Sequence, residues 1–136
     1  MKETQLPFTE EETTTPFELA AECTTDGNDA SGRRKDCDSD ISVVNAPDGF
    51  VLNDRDFEMQ QTYNGTDPNV NLTWDDYVEI IPGSGLKYPT KVSLSVHARS
   101  PRGHNGQRGW NKVKISGTMI NYQRMKENIV VALGFR

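Results

Sequence analysis

Only two histidines and two cysteines occur among the 136 residues, and this scarcity removes several chemistries together. His97, His104, Cys23 and Cys37 are the only soft metal ligands, and none stands in Cys-x-x-Cys or His-x-x-x-His spacing, which argues against zinc. The Gly-x-Ser-x-Gly elbow, the phosphate-loop Gly-Lys-Ser/Thr, the dinucleotide fingerprint and His-Glu-x-x-His are all missing. Asp75 and Asp76 adjoin, but neighbours in a strand point to opposite faces and cannot flank one substrate bond without a bulge. The expectation is a non-catalytic protein. No stretch approaches the roughly 18 apolar residues of a membrane-spanning helix, and no charged-then-apolar leader follows Met1.

The most informative scarcity is one of sign. Residues 81–136 contain 1 acidic residue, Glu127, against 10 Lys/Arg, whereas residues 1–80 contain 19 Asp/Glu against 5 Lys/Arg. The overall charge of −5 hides this split. Either the two parts neutralise one another in the fold, or one presents a charged surface to a partner.

What is present reads as one all-β domain behind an acidic leader. We assign residues 1–40 to an acidic, largely irregular N-terminal segment and residues 41–136 to an antiparallel β-sandwich, jelly-roll or immunoglobulin-like. Residues 1–14 form an acidic tail. Thr15, Pro16 and Glu18 have the spacing of a capping box with proline at the first helical position, predicting a short helix that ends by Cys23. Residues 24–40 are turn formers and charge, predicting loop. Beyond them the pattern has period two: 41–46, 50–52, 55–62, 70–74, 77–81, 90–98 and 109–122 read as strands, with 129–133 as the last. Asn64-Gly65 is the strongest hairpin signal.

Cys23 and Cys37 lie 14 apart in a polar stretch, and a bridge there closes a loop worth about 3 kcal/mol in the chain-entropy account. We expect that disulfide, and with it a secreted or periplasmic protein after signal removal; a native start at Met1 would instead mean the cytoplasm.

The candidate ligand site is basic. If 90–98 pairs with 109–122, one outward face gathers Lys91, His97, Lys112 and Lys114. The loop between the strands adds Arg99, Arg102, His104 and Arg108, followed by Trp110. Glycines 103, 106 and 109 let backbone N–H groups approach an anion, and arginine matches sulfate or carboxylate oxygens in a fork. The bland counterpart is neutralisation by Asp54, Asp56, Glu58, Asp75, Asp76 and Glu79 within the fold or an oligomer. The expected function is a binding module for an anionic ligand such as an acidic or sulfated glycan. The alternative is a structural homo-oligomer whose acidic and basic surfaces pair. A sequence pI near 5 argues against nucleic acid as the partner, although Trp110 has the ring to stack a base. No cofactor is expected beyond calcium, for which Asp36, Asp38 and Asp40 alternate in a permissive way, although Ile41 occupies the place an EF-hand turn gives to glycine.

Overall fold

Residues 5–104 and 106–134 are described in a computed structural model of the chain, so residues 1–4 of the acidic tail lie outside it. In chain order the elements are α1 (Glu10–Thr13), β1 (Thr14–Thr24), β2 (Asp36–Asp38), β3 (Ser42–Asn45), β4 (Phe50–Leu52), β5 (Glu58–Asn64), β6 (Val70–Glu79), β7 (Lys87–Arg99), β8 (Trp110–Asn121) and α2 (Tyr122–Ala132). Two antiparallel sheets face each other, making an all-β sandwich. Sheet 1 is built on β8, with β1 along one side and β5 and β4 in tandem along the other. Sheet 2 is built on β7, with β6 on one side and β2 and β3 in tandem on the other.

The alternation that defines each strand also fills the interior. Phe17, Leu19 and Ala21 of β1 and Val113 and Ile115 of β8 are buried against Val92, Leu94 and Val96 of β7. Trp74 meets Phe17 edge-on at 6.5 Å between ring centroids. Gly117 makes room for that phenyl ring: a Cβ there would lie 2.8 Å from it. A smaller cluster of Val51, Ile80 and Ile120 is covered by Tyr122 and Met125 of α2.

Asn111 is a polar residue placed wholly inside, between the sheets. Asn111, fully buried, donates to the carbonyls of Asn69 (3.1 Å) and His97 (2.9 Å) and accepts from Gln61 Nε2 (3.0 Å). It thereby fastens β8 and β5 of sheet 1 to β7 and the β5–β6 connection. The sheets are also joined covalently. Cys23 of β1 and Cys37 of β2 form a disulfide with a Cα–Cα distance of 5.9 Å. Replacing both cysteines with serine is expected to lower the unfolding free energy by about 3 kcal/mol. Urea denaturation with and without reductant measures this; superimposable curves would mean that the bridge contributes nothing.

Several expectations need correction, among them the loop read over 24–40, which contains strand β2. Residues 15–23 are not a helix but the body of β1, whose eleven register pairs with β8 outweigh a helix of two turns. The capping box lies earlier, where Thr9 and Glu12 exchange side-chain and backbone hydrogen bonds at the start of α1. The sandwich thus begins at residue 14 rather than 41. Residues 129–132 belong to helix α2, capped at its start by Asn121, with Leu133 at its C-cap, and not to a strand. Asn64-Gly65 joins two sheets instead of closing a hairpin, because β5 pairs with β8 and β6 with β7. Finally, β7 and β8 do not pair: each is the centre of a different sheet.

Candidate functional site

Because β7 and β8 lie in opposite sheets, the basic residues expected on one face are divided among three places. Lys91 and His97 are on the outer side of sheet 2, where Lys91 faces Asp75 in register. Lys112 and Lys114 are on the outer side of sheet 1, opposite the acids of β1. Lys112 Nζ lies 3.8 Å from Glu22 Oε2 and Lys114 Nζ 3.2 Å from Glu18 Oε1. Trp110 begins β8 on that same side, with the Lys112 ammonium 5.8 Å from its ring centroid. Cross-strand neutralisation therefore operates on sheet 1, through Glu18 and Glu22.

Arg99, Arg102, His104 and Arg108 remain together, at the end of the sandwich where β1, β5 and β7 terminate. Three connections meet there: 25–35, 65–69 and 100–109. Their packing depends on buried polar side chains. Asn28 Nδ2 donates to the carbonyls of Pro101 (2.7 Å) and Gly103 (2.8 Å), and its Oδ1 accepts from the buried Ser100 hydroxyl. Ser100 and Lys35 exchange bonds of 2.8 Å, Ser100 N to Lys35 O and Lys35 N to Ser100 Oγ. Thr25 and Gly109 do likewise, at 2.8 and 2.9 Å. Gly27 lies so close to the Gly106 carbonyl that any Cβ would collide with it.

This docking brings in three cations that the charge split by halves had hidden. Arg33, Arg34 and Lys35 come from the acidic part of the chain, yet sit beside the arginine loop. Arg34 Nε donates to Ser100 O at 3.0 Å and its Nη2 to Thr66 Oγ1. The signal was legible: residues 33–35 are the only three consecutive bases in the sequence. Residues 25–36, 65–69 and 99–109 together hold six Lys/Arg and four Asp/Glu. Arg33 is 3.9 Å from Asp29 and Arg99 is 3.5 Å from Asp36. Among the described residues, Arg34, Lys35, Arg102 and Arg108 form no ion pair with a carboxylate. His104 rests its ring on Gly32, with Nδ1 3.3 Å from Ala30 O.

Asp29 organises the outer loop. Hydrogen bonds from the Ser31 hydroxyl and the Arg33 amide hold its carboxyl at about 2, below the ordinary 3.8. The folded form binds this proton less readily than the unfolded chain, so the stabilisation is complete above about pH 4 and is lost as pH falls through about 2. An NMR titration of the Ser31 and Arg33 amides should therefore show an unchanged loop at pH 4 and a midpoint near 2. A midpoint near 3.8 would refute it.

The three calcium candidates are not assembled. Asp36 and Asp38 flank His97, at 3.4 Å from Nε2 and 2.9 Å from Nδ1, while Asp40 sits beyond β2 in the turn to β3. No group of three or more His, Cys, Asp or Glu among the described residues is arranged to hold a metal ion. Nor does any described helix have the length and apolar character to cross a membrane. No known protein family matches this chain, and neither the curated proteins nor the solved structures contain a significant match to it.

Proposed function

We propose that this protein is a non-catalytic binding module whose cationic pole receives an anionic ligand, an acidic or sulfated glycan, outside the reducing cytoplasm. The observation that carries the reading is the convergence of Arg34, Lys35, Arg102 and Arg108 at one end without carboxylate partners among the described residues. Their loops are fixed by the Asn28–Ser100 hydrogen bonds, so little ordering cost attends binding. The disulfide supports the compartment. Heparin titrated into the intact protein tests the site: saturable binding that weakens steeply with added salt is expected, and no salt-sensitive binding would remove the proposal.

A second reading has its own support at the opposite end. Residues 5–13, 46–49, 53–57, 76–87 and 122–134 hold nine Asp/Glu against four Lys/Arg. That acidic pole complements the cationic one, a geometry for head-to-tail contact between copies. Sedimentation velocity at low and high salt separates the two readings. Assemblies that dissociate with salt support contact between copies, and a monomer throughout leaves the glycan reading.

A further inference from the structure

Lys112, Lys114 and Trp110 are left over from the cationic pole, and their surroundings define a separate place. A groove of about 520 Å³ crosses the outer face of sheet 1. Its floor is Ala20, which sits between Glu18 and Glu22 on β1 and leaves a gap where both neighbours on that face have long side chains. Lys114 is the register partner of Ala20 but leans diagonally to Glu18, which keeps the gap open. The Glu22–Lys112 pair forms one wall. At one end the turn carrying Ser39 and Asp40 is drawn over the edge of β1 by Ser42, whose hydroxyl donates to Ala20 O at 2.6 Å. Gln60 and Thr62 of β5 close the other end.

We propose that this groove binds a neutral saccharide. Its volume is in the range of small-molecule sites, about 300–1,000 Å³. Ammonium, carboxylate, amide and hydroxyl groups line it side by side, across three strands spaced about 4.8 Å apart. Glu22 and Asp40 balance Lys112 and Lys114 on the lining, so the groove exerts no net pull on a polyanion. A ligand that satisfies such interleaved donors and acceptors without charge of its own is a ring bearing many hydroxyl groups. The carbon face of a neighbouring ring needs an apolar plane. Trp110 supplies one on the same side of β8, two residues and therefore about 7 Å beyond Lys112.

The test is calorimetric titration of the intact protein with maltohexaose, cellohexaose, xylohexaose, mannohexaose and chitohexaose. At least one is expected to bind with a Kd between about 10 μM and 1 mM. The affinity should be the same at about 0.05 and 0.5 M salt. Ala20→Trp fills the floor and Trp110→Ala removes the platform; each should weaken binding about tenfold or more while leaving far-UV circular dichroism unchanged. Either of two results would overturn the proposal: no binding by any of the five, or binding that Ala20→Trp leaves intact. Binding that falls with salt and with loss of the pole cations would also sink it, and would assign the sugar to the other end. Heparin binding at the cationic pole stands or falls separately.

Discussion

Asn111→Ala is expected to lower the unfolding free energy by about 3 kcal/mol, a fifth or more of what a domain of this size commonly possesses. The amide currently answers two carbonyls and one side-chain donor in a fully buried place. Truncation leaves the carbonyl of His97 without that donor, an orphaned buried group that costs about 1–3 kcal/mol, while the Asn69 carbonyl loses one of two donors and keeps the His97 amide at 3.0 Å. Gln61 loses less, because its Nε2 keeps the Pro68 carbonyl at 3.0 Å. Gln61→Ala should accordingly cost about 1–2 kcal/mol, with the two substitutions far from additive. Urea denaturation of the single and double variants gives all the values. A loss under about 1 kcal/mol for Asn111→Ala would mean that water replaces the amide and that the sheets are not fastened there.

Replacing Lys35, Arg102 and Arg108 together with glutamine should weaken heparin binding about a hundredfold. These three are chosen because their side chains take no part in the hydrogen bonds that fix the loops, whereas Arg34 does. Each lost contact should also reduce the logarithmic salt slope by about one. Lys112→Gln with Lys114→Gln is the control. Both lysines already face glutamates on another surface, so heparin affinity should hardly change. An unaltered slope in the triple variant, or a loss confined to the control, would refute the assignment of the pole.

Strand character was legible wherever alternation ran long. Residues 90–98 announce β7 because Val92, Leu94, Val96 and Ala98 alternate with polar neighbours, and all four are buried. Residues 14–24 were misread because Pro16, Glu18 and the adjacent alanines suit a helix start. Their alternation of Phe17, Leu19 and Ala21 was equally present, and a partner about 95 residues away decided the matter. In 129–133 the β-branched residues outweighed Asn121, whose side chain caps a helix beginning seven residues earlier. The disulfide needed only two cysteines in a polar stretch. The site was half legible. The arginine loop stands out in the sequence, but which strands pair is not written in local pattern. Without the pairing, Lys112 and Lys114 looked like part of one basic face and Arg33, Arg34 and Lys35 like part of an acidic segment.

The same distant pairing governs when the molecule can form. β1 is the first strand of the described chain and β8 the last, yet they share the longest register in sheet 1. A nascent chain can zip β6 onto β7 by a local turn, but its opening strand must wait, unprotected, until residues 110–121 have been synthesised. Acquisition of the native state is thus a slow, late closure, with Phe17 and Leu19 exposed to chaperones or to one another in the interval.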